Sequence, residues 1–404
     1  MKPDLLKGIR IIDFTTYVAA PGAGRIMADW GADVIKVEGL SGDPMRNFGV
    51  QMGIPATDDV NPIWELENGN KRGITLDLKN PKGMEIMMKL LESADGMTSN
   101  VRLGSLKKMG LDYETLSKKF PKLVWGHVSG YGIYGEEAPR PGYDVVSFWA
   151  RGGFLADTPT IGHPPMTTPF GVGDHTASLV LLGGMLAGIM KAKATGQGEK
   201  VVLSLQGTSI WVNGLMALST QFGDVYPKDR YAPPTPFSNS YQCKDGEWIV
   251  LTILQYERYF KAFCEALEIP EYIDDTRYNT LNGIKANPEY ISQFCHILED
   301  AFAKKDSAYW GERLKAADIA FERATHYYEI ATDKQAIANN YVVPYQTRNG
   351  TPFMLPMSPV QFKENVPLDS TPAPLLGEHN EEVLKELGYS DADIQALRAV
   401  KAIC

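Results

Sequence analysis

The sequence predicts an open, Rossmann-like α/β domain with a smaller α+β domain. Three observations predict it. Short apolar strand patterns alternate with helical ones over about the first 150 residues. The first of these, residues 8–38, is a complete strand–helix–strand unit. Near residue 225 the composition shifts to a proline-rich segment, a hairpin pattern and a run of helices.

Each element follows from its residues. Gly8 to Phe14 reads as a short buried strand. Pro21 takes a first helical position, Gly31 closes that helix after Trp30, and Asp33 to Glu38 is the next strand. Gly73 to Leu78 is a strand, and Pro81 opens a helix with Met84, Met87, Met88 and Leu91 at i, i+3, i+4 and i+7. Met97 to Asn100 is a strand, Leu103 to Met109 a short helix, Leu123 to Val128 a strand and Gly142 to Gly152 a helix. After a polar loop, Asp157 to Pro169, a glycine-bearing turn leads to Asp174 at a helix N-cap position. The apolar helix from Ala177 to Met190 follows and closes at Thr195-Gly196-Gln197-Gly198. Val201 to Leu205 is a strand and 206–222 a helix.

Tyr231 to Ser240 reads as a linker, and Tyr241 to Leu254 as a hairpin turning at Lys244-Asp245-Gly246. Helices are expected at 256–267, 287–304 and 307–316. Short strands around Tyr341–Val343 and Val360–Phe362, then helices Glu381–Leu387 and Asp391–Val400, complete the chain. The expected organisation is a large α/β domain at 1–224, a small domain at 225–325 and a return to the large domain at 326–404.

Composition narrows the function. With 44% hydrophobic and 22% charged residues, the chain reads as a globular protein with a substantial core. A net charge of −9 argues against a nucleic-acid-binding face, so an anionic ligand must meet local Lys and Arg. Cys243, Cys264, Cys295 and Cys404 form no C-x-x-C pair, so neither a zinc site nor a disulfide framework is expected, and no metal. Met1 to Asp4 leads straight into a strand pattern, and the apolar run 177–190 is too short to span a bilayer. The expectation is therefore a cytoplasmic protein with no leader and no membrane partner.

No dinucleotide fingerprint follows the first strand: Gly22-Ala23-Gly24 runs into Arg25, and the next glycine is Gly31. Walker, H-E-x-x-H and G-x-S-x-G patterns are absent. Arg46, Lys71, Arg72, Lys79, Arg102, Lys107 and Lys108 recur at element ends. Singly each reads as surface charge; as a set they could line a crevice for phosphates. His127 reads as a core or edge residue, His379 as a cap, and His175 as either a polar first-turn residue or an orienter of Asp174. Asp174 itself reads two ways, as a plain N-cap or as a carboxylate held at the positive end of a helix for chemistry.

Longer blocks point further. Asp13-Phe14, Ala20-Pro21, Ala28 to Glu38 and Gly42 to Arg46 resemble the N-terminal signature of class III (CaiB/BaiF-type) CoA-transferases. Asn70-Lys71-Arg72, Leu76 to Lys79, Ser129 to Gly132, Pro141 to Asp144, Gly173-Asp174, Thr195 to Gly198 and Pro374 to His379 resemble its later blocks, in order along the chain. The resemblance implies that Asp174 attacks an acyl-CoA thioester and passes through aspartyl anhydride and aspartyl-CoA thioester intermediates. Backbone N–H groups near Gly173 would hold the oxyanion. It implies CoA contacts at Tyr17, Val18 and Ala19, at Leu76 to Lys79, at Asn100 and Val101, at Lys108 and Met109, and at Ser129, Gly130 and Tyr131. It also implies an interlocked homodimer whose large domain holds both termini and whose small domain caps the active site across the dimer. Acyl-CoA and a carboxylic acid are then substrates, with no permanently bound cofactor.

The chain departs from the formyl-CoA transferase pattern. That enzyme carries His-Val-Gln where this chain has Thr16-Tyr17-Val18, and a glycine run where this chain has Pro233-Pro234-Thr235-Pro236-Phe237. Loss of the glutamine amide argues against formate and oxalate, and places Tyr17 and Val18 beside a larger, less polar acyl group. The turn Ala19-Ala20-Pro21 and the segment Gly173-Asp174-His175 look closest to the 2-hydroxy-acid subset of amino-acid fermentation, the phenyllactate and 2-hydroxyisocaproate CoA-transferases. Two rivals remain at this point. An α-methylacyl-CoA racemase of the same fold uses Gly-His-Asp, but the matching Gly142-Tyr143-Asp144 has no imidazole. A non-catalytic acyl-CoA-binding protein would share the fold without turnover.

Overall fold

The computed structural model describes residues 4–362 and 370–404; Met1 to Pro3, on which part of the leader reading rests, lie outside them. The described residues divide into two compact units. The first takes in Met1–Phe154, Thr167–Leu218 and Ala331–Cys404, and the second Leu155–Met166 and Ser219–Ile330.

The first unit is built on six strands: β1 Arg10–Phe14, β2 Asp33–Glu38, β3 Arg72–Thr75, β4 Gly96–Ser99, β5 Val124–Ser129 and β6 Lys200–Ser204. All neighbours pair in parallel, in the order β3-β2-β1-β4-β5-β6. The chain winds outward from β1 to β3, then crosses back to start β4 on the other side of β1. The carboxyl ends of β1 and β4 therefore diverge, which opens a crevice at that edge of the sheet.

Helices pack on the sheet by the periodicities expected of them. Pro21 opens α1 (Pro21–Asp29), and Asn61 caps α2 (Pro62–Asn68) through Trp64 N–H at 3.2 Å. α3 (Pro81–Glu92) buries Ile86, Met87, Leu90 and Leu91, while Met84 and Met88 of the expected stripe are partly buried at its edge. α4 (Leu103–Met109) closes at Gly110 in a left-handed conformation. α5 (Val172–Thr195) lays Leu181 and Met185 across Gly96 and Gly126, which have no side chain to obstruct them. α6 (Leu205–Val212) follows β6 directly.

Five expectations are corrected. α5 has 24 residues, so by length and composition it could cross a bilayer, contrary to the short run expected; in the fold it packs on β5 and β6. The helix expected at 206–222 breaks at Asn213, whose side-chain amide donates to Gly152 O at 3.2 Å; Gly214–Ser219 and the 3-10 turn Thr220–Phe222 follow it. Val360–Phe362 forms no strand; Val342–Gln346 pairs instead with Pro352–Pro356, antiparallel. The segment expected to be helical at 142–152 is a seven-residue π-type helix, Asp144–Ala150. His379 holds the N-cap position of Asn380–Glu386 but makes no side-chain capping bond: its Nδ1 accepts the Gly73 N–H at 3.1 Å and ties the C-terminal helices to β3.

The second unit has a three-stranded antiparallel sheet, Ser240–Gln242, Trp248–Leu251 and Phe321–Arg323. Helices Tyr256–Ala266, Pro288–Phe302 and Ser307–Ala316 cover a core that includes Phe260, Phe263, Phe294 and Trp310. Phe237 is fully buried in that core, so the proline-rich segment read as a linker is a structural anchor.

Candidate functional site

The crevice at the divergence of β1 and β4 holds a cavity of about 570 Å³. Its walls come from the turn after β1 (Thr16, Tyr17, Ala19), from Asn100, Arg102 and Lys108 after β4, and from His127, Ser129 and Gly130 at the end of β5. Arg140 to Tyr143 and Asp174 complete it.

The turn after β1 has no strand partner, and side chains satisfy its backbone instead. Lys36 Nζ donates to Thr15 O at 3.0 Å. Asn100 grips Thr16 from both sides, accepting its N–H at 2.9 Å and donating to its carbonyl at 2.7 Å. Asp43 accepts the Tyr17 N–H at 3.2 Å. Ser178 Oγ lies 2.9 Å from Ala19 O and 3.3 Å from Val18 O. These anchors hold Tyr17 at φ +62°, a left-handed conformation that a bulky residue adopts only when its surroundings impose it. Ser178 lies one helical turn after Asp174 and also meets its carbonyl, at 3.1 Å. The same hydroxyl thus ties the cavity turn to the helix that carries Asp174.

Asp174 is not the N-cap. Gly171 holds that position at φ +76°, and Asp174 is the third residue of α5, with no side-chain capping bond. Asp144 Oδ2 accepts the Gly171 N–H at 2.9 Å. Because Asp144 takes up the free N–H at the helix entry, the Asp174 carboxylate is left to face the cavity. Gly173 makes this possible: a Cβ there would overlap the Asp144 carboxylate and the Phe148 ring.

The electrostatics are unusual. Burial pushes the Asp174 carboxyl up to about 7; the Asp144 and Glu67 carboxylates add to the rise, and His175 opposes it. Asp144 is also raised by burial, against backbone hydrogen bonds from Gly171 and Gly173. The His175 side chain is half exposed; desolvation acts to lower it, but its hydrogen bond to Glu67, Nε2 to Oε1 at 2.7 Å, and the nearby carboxylates bring it above the ordinary imidazole value.

Of the residues implied for CoA, the cavity is lined by Tyr17, Ala19, Asn100, Lys108, Ser129 and Gly130, with Asp174 in the same wall. Val18, Leu76, Lys79, Val101, Met109 and Tyr131 are not among its lining residues. Val18 packs toward Met45 and Trp64, Leu76 is buried in the sheet core, and Lys79 is exposed. Of the seven basic residues grouped for phosphates, only Arg102 and Lys108 reach the cavity. Arg46 pairs with Glu38, Lys71 with Asp13, and Arg72 with Asp33 and Glu386. Sequence reading passed over Arg140 and Glu67, and it weighed Asp144 only for the imidazole missing beside it. Arg140 lies next to Pro141-Gly142-Tyr143-Asp144, so the block itself was the available signal. His127, read as core or edge, lines the cavity; its Nε2 contacts Val101 O at 3.0 Å and its ring stacks on Trp125.

A family model described as CoA-transferase family III matches residues 6–380. The (R)-2-hydroxy-4-methylpentanoate CoA-transferase of Clostridioides difficile is 36% identical, over 99% of this chain and 99% of its own. The cinnamoyl-CoA:phenyllactate CoA-transferase of Clostridium sporogenes is also 36% identical, over 99% of this chain and 97% of its own. In fold, the chain is similar to the crystal structure of a CaiB/BaiF family protein from Brucella suis, with TM-score 0.79 and 24% identity, covering 95% of this chain and 99% of that one.

Proposed function

The chain belongs to CoA-transferase family III, and on that premise we propose that it moves CoA from an acyl-CoA to a 2-hydroxy acid, with Asp174 as nucleophile. One observation carries the reading: a carboxylate relieved of capping by Asp144 faces a cavity at the carboxyl end of a parallel sheet. The ionised Asp174 attacks the thioester carbonyl and expels CoA thiolate, leaving a mixed anhydride. The thiolate attacks the aspartyl carbonyl and releases the donor acid, leaving CoA on Asp174 as a thioester. The acceptor carboxylate displaces the thiolate to form a second anhydride, and the thiolate then takes the acceptor acyl group and frees Asp174. N–H groups of the first helical turn favour the developing oxyanion.

Arg102, Lys108 and Arg140 would meet the CoA phosphates, and Asn100, Ser129 and Gly130 the rest of the nucleotide and pantetheine. Tyr17 and Tyr143 meet edge to face at 6.1 Å in the same cavity and offer an aromatic wall for an apolar acyl group. That wall and the substrates of the two 36%-identical relatives support a medium-sized, apolar 2-hydroxy acid. CoA then enters as substrate, with no resident cofactor, and the enzyme works in the cytoplasm, where CoA thioesters are made and used. The working form is an interlocked homodimer. Leu179, Val180, Met190, Ile210, Trp211 and Leu215 are exposed on α5 and the segments after β6, an apolar area suited to a second copy. Mass photometry at nanomolar concentration should find dimers, and a populated folded monomer would refute that part.

The decisive experiment is on Asp174. Incubation with acyl-CoA and hydroxylamine, followed by peptide mass spectrometry, should place a hydroxamate on Asp174. Asp174→Ala should lose transfer by at least about a thousandfold while folding and binding CoA. Substantial transfer by the variant, or label on another residue, would overturn the assignment.

A further inference from the structure

Glu67 lies buried on α2, facing the first turn of α5. Its Oε1 is 2.7 Å from His175 Nε2, and its Oε2 has no hydrogen-bond partner among the described residues. Lys71 is near enough to sense Glu67, but its three N–H groups already reach Asp13, Pro21 O and Asn68. His175 is therefore the hydrogen-bonded counter-charge of a buried carboxylate. A short carboxylate–imidazole contact in such a place favours the doubly protonated ring.

His175 also sits among the other acids of the site. Asp174 precedes it on α5, and Asp144 approaches from the 144–150 helix, held by the Gly171 N–H with its Oδ1 unpartnered. Tyr17 and Tyr143 line the same cavity with their rings edge to face. One half-exposed imidazole thus contacts Glu67 and lies within electrostatic reach of Asp174 and Asp144. Two of these carboxylates ionised would make a third ionisation costly unless a positive charge stood between them.

We infer that His175 is a positioning residue for the transfer reaction: gripped by Glu67 as an imidazolium, it supplies the charge that lets the Asp174 carboxylate ionise beside Asp144. The inference rests on Asp174 being the nucleophile. It gives Glu67 a role through His175, without contact to substrate. The directions of titration agree, with Glu67 holding His175 above its ordinary value and His175 drawing Asp174 down against burial and Asp144.

The test is the pH profile of His175→Gln, which keeps an N–H for Glu67 and removes the charge. The acidic limb of kcat/KM for acyl-CoA, and of hydroxamate formation at Asp174, should move up by about one pH unit. Transfer at pH 6 should fall about tenfold relative to wild type, with the gap closing toward pH 9. A loss equal at every pH, or an unmoved limb, overturns the inference. Histidine NMR keeps the test open if that variant does not fold. In the wild type the His175 ring should be protonated at pH 7 and should titrate lower in Glu67→Gln; a neutral ring in the wild type overturns the inference. If hydroxamate forms on Asp174 and the limb does not move, this inference alone fails. If no hydroxamate forms there, the proposed function fails first.

Discussion

Two groups of charge, one buried and one partly so, lie in the same unit, and they are built on opposite terms. Under the turn after β1, Lys71 pairs with Asp13 at 2.7 Å, Lys36 with Asp43 at 2.9 Å and Arg46 with Glu38 at 2.7 Å. Three cations meet three carboxylates, and Arg46 also stacks over Trp64 at 4.0 Å. At the start of α5, the three carboxylates Asp174, Asp144 and Glu67 have within electrostatic reach one imidazole, which contacts Glu67. Burial acts on both groups. In the first, Lys71 and Lys36 overcome it and hold Asp13 below the usual carboxylate range. In the second, burial and like charge push Asp174 up to about 7. Supply of counter-charge, rather than depth, separates a charge group that holds the fold from one that carries a cost in stability, as the proposed role of Asp174 would require. The first serves the second, because Lys36 and Asp43 are two of the anchors on the Tyr17 turn.

The largest effect on stability should come from unbalancing the first group. Lys71→Met leaves Asp13 buried without its partner, at a cost of about 3–5 kcal/mol by urea unfolding. A loss below about 1 kcal/mol would break the comparison, since it would mean the pair is not needed to hold its acid.

Asp174→Asn should act in the opposite sense and stabilise the protein. Its native value of about 7 lies above the ordinary 3.8, so between these values the folded state holds a proton that the unfolded state has released. The ionised Asp174 therefore weakens the fold progressively from pH 4 to 7, and fully above 7. Partial solvent access reduces the gain from Asp174→Asn at pH 8 to about 1–2 kcal/mol. The gain should vanish toward pH 4. Asp13 has the reverse sign: its contribution is present above 3.8 and is lost as pH falls through its lowered native value. Thermal unfolding of both proteins from pH 4 to 9 reads this directly, and a gain that does not depend on pH would contradict it.

The smallest effect tests the link between turn and helix. Ser178→Ala removes the hydroxyl 2.9 Å from Ala19 O and should cost about 1 kcal/mol. It should raise KM for acyl-CoA several-fold with little change in kcat, because the turn it anchors lines the cavity. A fall in kcat at unchanged KM would instead assign the hydroxyl to the Asp174 side of the bond.

Much of this protein was legible in the sequence. Strand and helix periods located β1 to β6 and the helices α1, α3, α4 and α5, because alternation and i, i+3, i+4 spacing follow from backbone geometry within a few residues; α2 and the helix Tyr113–Lys119 were missed. Ordered blocks from Asp13 to His379 identified the family, and with it Asp174 as the residue to examine. Errors fell where a local pattern had two solutions. The residues before α5 allow an aspartate cap, yet Gly171 can take a left-handed φ, which starts the helix two residues before the expected cap position. The break at Asn213 depends on a bond to Gly152, 61 residues away.

Tertiary structure decided which charges meet. Lys71 and Lys108 look alike in sequence, yet one is sealed against Asp13 and the other lines the cavity. Nothing near Glu67 announces that it will meet His175, 108 residues later. Nor does Asp144 announce that it will relieve Asp174 of the cap, from 27 residues before Gly171. The sequence by itself determined the kinds of element, the family and the chemical type of the proposed nucleophile, all of which rest on short-range order. The ionisation of the Asp174 carboxyl belongs to the folded chain alone, because a carboxylate's proton affinity depends on burial and on charges brought near it through space.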